Sequence, residues 1–186
     1  MNDSQDKKPF VVAENDLFDF YIGVNAGKRM LGRLIDAKKS IKIVSPFLAE
    51  DKIEELRNRR LEGLDDIFII TTVPEEISNE EHLAALRKLI HPVRADEYRV
   101  ILNTAFFKEN SLHEKLYIID DEIVYSGSFN FTNAGVNNNM ETAITIKDPG
   151  TVSEIVSYFD RLFKTDSIEK WDPAELAKKI YAVQSK

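Results

Sequence analysis

Segments of helical periodicity alternate with short apolar runs rich in β-branched residues along the first half of the chain. Each helical segment places its leucines, isoleucines and methionines on one face, and each apolar run is short enough to be a buried strand. The helices are predicted at residues 26–39, 50–63 and 79–90, and the strands at residues 41–45, 67–72 and 99–102. Strands that alternate with helices are typical of layered α/β folds.

The second half of the chain is richer in strands. Residues 115–119 and 123–127 are two apolar runs separated by a short polar break, Asp120-Asp121-Glu122, which favours a hairpin turn. Residues 142–147 form a further predicted strand. The sequence therefore predicts an α/β fold with a mixed β-sheet flanked by helices.

Two further helices have start signals. Thr151 and Glu154 have the spacing of a capping box, and Asp172 followed by Pro173 predicts the N-cap and first position of a last helix. A length of 186 residues favours one domain. The predicted organisation is a flexible tail at residues 1–15, a domain at 16–165 and a C-terminal helical extension at 166–186.

Composition and net charge bear on the cellular compartment of the protein and on what it binds. The chain has no cysteine, and its polar N-terminus lacks the apolar core of a signal peptide, so we expect a cytoplasmic protein without a membrane partner. The net charge of −7 argues against indiscriminate nucleic-acid binding, although the distribution of charge matters more than its sum. Basic residues gather in the first third, where solvated helix faces are the simpler interpretation.

A histidine and a lysine stand together at the start of the predicted hairpin. Alternation along a strand places His113 and Lys115 on the same face. Two groups that carry positive charge are poor neighbours unless an anion lies between them, so the pair indicates a site for an anion such as phosphate.

The end of the predicted hairpin and the residues after it supply further groups that suit an anion site. Asn130 offers amide donors, Ser128 a hydroxyl, and Gly127 allows close approach of the backbone. Glu141, at the start of the next strand, is a candidate to hold the imidazole of His113 in one tautomer.

These residues have a fixed spacing: HxK, four residues, Asp, six residues, Gly-Ser, and Asn two positions after the serine. This pattern resembles the signature of the phospholipase D superfamily, and the following FNFT and Glu141 are similar to the family's small nucleases. The resemblance covers about residues 105–147. The matching residues are His113, Lys115, Asp120, Gly127, Ser128 and Asn130.

The resemblance implies a metal-independent phosphodiesterase that needs no cofactor and works through a covalent phosphohistidine. By analogy, His113 attacks phosphorus, a second motif histidine protonates the leaving oxygen, and Lys115 and Asn130 neutralise the phosphoryl oxygens. We expect Asp120 to be chiefly structural and Ser128 to support the phosphate pocket.

The family's catalytic unit uses two copies of the motif, and this chain has one. Neither His82, followed two residues later by Ala84, nor His91, followed by Val93, begins a second HxK. A two-fold homodimer would supply the missing copy, because such an interface brings the same surface of both subunits to the axis. We therefore predict that His113 of each subunit faces one composite site.

A metal site at His113, Asp120, Asp121 and Glu141 is the rival interpretation of these residues. The group lacks a close ligand pair such as HxH or HExxH, and Lys115 would repel a cation.

Nucleic acid is the preferred substrate class, with DNA favoured over RNA, recognised through its backbone. Four phenylalanines are candidates to stack bases, although core packing is the simpler interpretation: Phe47, Phe106, Phe107 and Phe129. Two alternatives stay open. One is a nucleic-acid-binding module of a larger helicase or restriction-type protein, and the other is a phospholipase or phosphatidyl transferase.

Overall fold

A mixed sheet with helices on both faces organises the chain. The structure is a computed structural model, and it describes residues 8–72, 79–90, 103–107, 112–165 and 168–185. Within these ranges nine strands form one sheet, in the order β1-β2-β8-β7-β6-β3-β4-β5-β9. The strands are β1 (Phe10–Glu14), β2 (Phe18–Gly23), β3 (Ser40–Val44), β4 (Asp66–Thr72), β5 (Asn103–Phe107), β6 (Leu116–Ile119), β7 (Ile123–Gly127), β8 (Glu141–Ile146) and β9 (Ile168–Glu169). Strands β3, β4 and β5 are parallel, and the other neighbours are antiparallel.

Five α-helices in the described ranges cover the two faces. They are α1 (Lys28–Ile35), α2 (Glu50–Leu61), α3 (Glu80–Ile90), α4 (Pro149–Leu162) and α5 (Pro173–Gln184). Buried residues of α1, α2, α3 and α5 share one hydrophobic core with the sheet, whereas α4 packs on the opposite face in a second core. The predicted fold class, a mixed sheet flanked by helices, is confirmed.

The order of the strands brings the carboxyl end of β3, the start of β6 and the end of β7 together at one end of the sheet, which we call the functional edge. The chain runs from β3 through β4 to β5 on one side, and then returns to place β6 on the other side of β3. Val44, at the carboxyl end of β3, pairs with Leu116 at the start of β6, and Leu116 also pairs with Ser126 near the end of β7. In open α/β sheets, ligands bind beyond the carboxyl ends of the strands where the order reverses.

Alternation along β6 follows the prediction. Tyr117 and Ile119 pack into the core that contains α1, whereas Leu116 and Ile118 pack into the core that contains α4. His113 and Lys115, which precede this strand, therefore belong to the face of Tyr117.

Two predictions need correction, and a third lies outside the described residues. Residues 10–14 of the predicted flexible tail form the edge strand β1, which pairs with β2. Thr151 is not the N-cap of α4: Asp148 is, its carboxylate accepts from Thr151 N at 2.8 Å, and Pro149 begins the helix. The strand predicted at residues 99–102 lies outside the described residues, and β5 begins at Asn103.

The C-terminal segment packs onto the sheet and α3. Strand β9 pairs with β5, Trp171 stacks on Phe106 with ring centroids 4.4 Å apart, and Leu176 and Ile180 are buried in the core. The predicted N-cap is confirmed, because Asp172 accepts from the amides of Ala174 and Glu175 in a capping box.

Candidate active site

The HxK segment lies at the functional edge, immediately before β6. The pairing of β6 with β3 and β7 begins at Leu116, so His113 and Lys115 precede the paired part of the strand. The imidazole of His113 is exposed. Lys115 is half-buried and its ammonium group donates to the carbonyl of His113. Burial lowers the pKa of Lys115, and the nearby negative charge of Glu141 opposes that shift.

Gly127 ends β7 at a very close approach to β8. A Cβ atom at this position would lie 2.0 Å from the carbonyl oxygen of Thr142, so only glycine fits without a backbone shift. The close approach places Ser128 next to Thr142: Ser128 N donates to Thr142 O at 3.1 Å, and Thr142 N donates to Ser128 Oγ at 3.0 Å. The hydroxyl of Ser128 in turn donates to Glu141 Oε2.

Contacts with buried core residues hold the Ser128–Asn130 loop in place. Tyr117 donates its hydroxyl to the carbonyl of Phe129 at 2.8 Å, and the two rings stack with centroids 5.0 Å apart. Ser45, which follows β3, accepts from the amide of Phe131 at 3.0 Å. The loop is therefore attached to β6 and to the carboxyl end of β3.

Asn130 has an unpaired polar atom within this framework. Its Oδ1 atom is buried and has no hydrogen-bond partner. A π-helical turn at Ala134–Asn138 follows, and Gly135 lies so close that a Cβ atom there would be 2.6 Å from the carbonyl oxygen of Asn130. Because buried polar groups are nearly always satisfied, the side chain of Asn130 has capacity for a ligand or water.

Glu141 begins β8, opposite Gly23 of β2. Its carboxylate accepts from Ser128 Oγ, and from Asn139 Nδ2 at 3.4 Å. Although both residues are described, there is no hydrogen bond between Glu141 and His113. The predicted contact with the imidazole therefore stays a prediction, and Oε1 keeps accepting capacity for it because its bond from Asn139 is long.

Asp120 lies at the other end of β6. Four residues separate it from Lys115, and the five steps along an extended strand span about 16 Å. Its carboxylate accepts from the backbone amides of Lys38, Lys39 and Ser40, at 2.6 to 3.1 Å, and its own amide donates to Ser40 O at 2.8 Å. Asp120 therefore binds the backbone that leads into β3 and cannot reach a phosphate beside Lys115 of the same subunit.

Six of the seven predicted site residues thus lie at one end of the sheet, and Asp120 does not. The six are His113, Lys115, Gly127, Ser128, Asn130 and Glu141. Sequence reasoning missed Tyr117, Asn139 and Gly135, which act through backbone or side-chain contacts with the motif. Their signal was weak, because a strand tyrosine and a run of asparagines have many other uses.

The site residues are mainly donors, with a carboxylate beside them. Among the residues described, no cluster of three or more His, Asp or Glu side chains has the geometry to hold a metal ion. An exposed imidazole, a half-buried ammonium group and an asparagine amide are groups that can bind a tetrahedral anion.

Comparison with known proteins places this geometry in context. Residues 30–163 match the family model described as "Cardiolipin synthase, PLD-like domain". No curated protein sequence matches significantly.

Solved structures share the fold. NucT from Helicobacter pylori is 20% identical, with a TM-score of 0.63, and the match covers 83% of this chain and 99% of NucT. Nuc from Salmonella typhimurium, a phospholipase D family member, is 22% identical, with a TM-score of 0.61, and the match covers 83% of this chain and 98% of Nuc. Phosphatidylserine synthase from Haemophilus influenzae is 13% identical, with a TM-score of 0.65, and the match covers 95% of this chain but 45% of the synthase.

Among the helices in the described ranges, none has both the length and the apolar character needed to cross a lipid bilayer. The family model spans most of the chain, including most of α1, all of α2, α3 and α4, and the HxK segment with the loop after β7. The chain therefore belongs to the phospholipase D superfamily, whose members act on phosphodiesters.

Proposed function

We propose that the chain is a metal-independent phosphodiesterase that hydrolyses nucleic-acid phosphodiester bonds through a phosphohistidine intermediate. The observation that supports this proposal is that the HxK segment before β6 lies beside the end of β7, which leads into the loop with Ser128 and Asn130: Leu116 pairs with Ser126, and the carbonyl of Lys115 accepts from Ser126 Oγ at 3.1 Å. The exposed imidazole is available for attack, and the donors around it suit the non-bridging oxygens of a phosphate.

The reaction proceeds in two displacements. The neutral imidazole of His113 forms a bond to phosphorus, the bond from phosphorus to the leaving oxygen breaks, and that oxygen takes a proton from a second histidine. Water then attacks phosphorus, gives its proton to the second histidine, and breaks the bond to His113. Lys115 and Asn130 offset the charge that develops on the phosphoryl oxygens in both steps.

The second histidine is His113 of a second copy of the chain. The chain holds a single HxK motif, and its match covers nearly all of Nuc and NucT but less than half of the phosphatidylserine synthase. A two-fold dimer places the functional edges of two subunits face to face, so that each contributes one imidazole.

Glu141 is proposed to orient an imidazole at this composite site. Ser128 holds one oxygen of the carboxylate, and the other accepts only a long bond from Asn139 and has capacity for a stronger one. A carboxylate that accepts from one ring nitrogen fixes the tautomer and leaves the other nitrogen free to attack phosphorus.

Nucleic acid, DNA rather than RNA, is the proposed substrate, recognised through its phosphates. Two of the four candidate stacking rings, Phe106 and Phe129, are fully buried, so base stacking on them does not contribute. Affinity that depends on phosphate contacts falls as salt rises, because binding releases counterions.

The test compares single-stranded DNA, double-stranded DNA, RNA and phospholipid vesicles, all in excess EDTA. We expect nucleic-acid cleavage by the wild type, loss of cleavage in His113→Ala, and strong reduction in Lys115→Ala. Lys39→Ala is the matched control, because Lys39 is an exposed lysine beside Asp120 at the opposite edge. Cleavage of lipid alone would favour the phospholipase alternative, and binding of DNA without turnover would favour the binding module. Cleavage lost in EDTA and restored by a divalent cation would overturn the metal-independent mechanism.

The dimer has its own test. Wild type mixed with an excess of His113→Ala protein should lose more activity than dilution alone explains, because mixed dimers lack one imidazole. Full activity of a protein that sediments as a monomer would contradict the composite site.

A further inference from the structure

The backbone of the HxK segment is held by side-chain contacts that differ on its two faces. Strand pairing begins only at Leu116. Before it, Leu112 is buried in the core beneath α4, and the carbonyl of Lys115 accepts from Ser126 Oγ at 3.1 Å. Neither contact fixes the residue between His113 and Lys115.

That residue, Glu114, points away from the candidate site. Alternation sends its side chain to the face opposite His113 and Lys115, toward α4. There its Oε2 atom accepts a hydrogen bond from the hydroxyl of Tyr158 at 2.9 Å. Tyr158 lies within α4, the one α-helix on this face in the described part of the chain.

The bond is charge-assisted and lies at the surface, where Tyr158 is 40% exposed. Burial and the bond to Glu114 raise the pKa of Tyr158 to about 12, so the phenol is a permanent donor at neutral pH. Helix α4 is itself fixed by the N-cap Asp148 and by Phe159 and Val152, which are buried against the sheet. The phenol therefore has a defined position from which to hold Glu114.

We infer that Tyr158 is a positioning residue, which acts through Glu114 to hold the backbone of the HxK segment so that the His113 imidazole is aimed at phosphorus. This inference rests on the proposed role of His113 as nucleophile. Tyr158 does not touch the phosphate, because it lies across the sheet from the site. Its effect arises because a small displacement of a nucleophile from its line of attack is costly in rate.

The bond between Tyr158 and Glu114 connects the HxK segment to α4. Glu114 lies one residue from both His113 and Lys115, so one bond restrains both motif side chains at once. It also ties them to the helix that covers the opposite core, and a displacement of α4 at Tyr158 would be transmitted to the imidazole.

The test uses four variants and a matched control. Tyr158→Phe removes only the hydroxyl, and we expect kcat to fall about tenfold with little change in KM, within the range known for misplaced catalytic groups. Glu114→Ala should fall equally, whereas Glu114→Gln should keep most activity because its amide oxygen still accepts from Tyr158. The double variant Tyr158→Phe with Glu114→Ala should lose no more than either single variant. Tyr181→Phe, which alters an exposed tyrosine of α5, should match the wild type.

A second readout separates this inference from the proposed function. Backbone NMR relaxation of residues 112–116 should show greater mobility in Tyr158→Phe than in the wild type or in Tyr181→Phe. If the wild type cleaves no phosphodiester, the proposed function fails, and the relaxation data still test the restraint. If the wild type is active and Tyr158→Phe keeps both its kcat and its rigidity, the inference is wrong. Additive losses in the double variant would also overturn it, because they would mean that the two side chains act independently.

Discussion

Substitution of Gly127 by alanine tests the geometry on which the whole site depends. The added Cβ atom would lie 2.0 Å from the carbonyl oxygen of Thr142, 2.9 Å from its carbonyl carbon and 3.1 Å from the Cα atom of Ala143. All three are backbone atoms of β8, so no side chain can rotate to relieve the clash. The end of β7 must therefore move away from β8 by more than about 1 Å to restore ordinary contact.

The energetic cost follows from what that movement breaks. Separation of the strands removes the two bonds between Ser128 and Thr142, at 3.1 and 3.0 Å, which contribute about 1 kcal/mol each. Strain from the inserted methyl group adds about 1–3 kcal/mol. We expect Gly127→Ala to lower the free energy of unfolding by about 4 kcal/mol in total.

Urea denaturation followed by the fluorescence of Trp171, the chain's single tryptophan, measures this change. The probe is well placed, because Trp171 stacks on Phe106 in the core and reports global unfolding. Gly32→Ala is the control. Outside the neighbouring backbone of α1, no atom lies within 4 Å of the added Cβ, and alanine favours the helix, so this variant should gain about 0.5–1 kcal/mol. A Gly127→Ala protein within about 0.5 kcal/mol of the wild type would refute the close approach of β7 and β8.

Three further predictions concern stability. Asp120→Ala should lower the free energy of unfolding, measured by urea denaturation, by about 2 kcal/mol, because it removes an acceptor shared by three backbone amides. Asp120→Asn should lose less stability, and equal losses in the two variants would contradict the role of the acceptor. Burial lowers the pKa of His82 to about 4 from 6.5, so the unfolded chain binds this proton first and stability should fall as the pH drops from about 6.5 to 4. The full decrease in the free energy of unfolding from His82 is about 3 kcal/mol. Urea denaturation of His82→Gln across the same pH range should not show this decrease, and identical pH profiles of the variant and the wild type would refute the lowered pKa of His82. Asp172→Ala should cost about 1 kcal/mol through loss of the capping box of α5, and an unchanged thermal midpoint would count against that cap.

Local signals predicted most of the central fold. Strands β3, β4, β6 and β7 are short runs of β-branched and aromatic residues, and both of their faces are buried, so their composition alone was enough. The last helix was also predictable, because Asp172 and Pro173 form a strong local start signal.

Strands β1 and β2 were not predicted, and their physical basis explains why. Phe10, Val11 and Val12 are consecutive and exposed, and the register shifts between Val11 and Ala13, so the alternation expected of a strand is broken. Strand β2 forms because it pairs with β8, more than 100 residues later in the chain. Such pairing is a tertiary effect that a local window does not contain.

The start of α4 shows a different limit. Asp148, Pro149 and Thr151 all carry start signals, and a capping box with Glu154 favoured the last. In the structure Asp148 accepts from both the amide and the hydroxyl of Thr151, so the threonine supports the cap and does not form it. Competition between neighbouring caps is decided by fractions of a kcal/mol, below what sequence spacing resolves.

The position of Asp120 explains the spacing of the motif. From Lys115 the chain crosses the sheet along β6 and turns at Asp120 and Asp121, whose φ angles of 59° and 56° are those of a type I′ turn. It then returns along β7 to Gly127, and the bond from Glu122 N to Ile119 O closes the turn. The spacing of the motif is thus the length of one hairpin out and back.

Asp120 sets where that hairpin lies, because its carboxylate holds the backbone before β3 while its αL conformation forms the turn. A slip of one residue in this register would turn every side chain of β7 to the other face and move Ser128 away from Glu141. The motif residue that lies furthest from Lys115 along β6 therefore fixes the register of the hairpin. For that reason the spacing of the six positions reflects the length of the hairpin, whereas the role of each member in binding a phosphate stays a prediction.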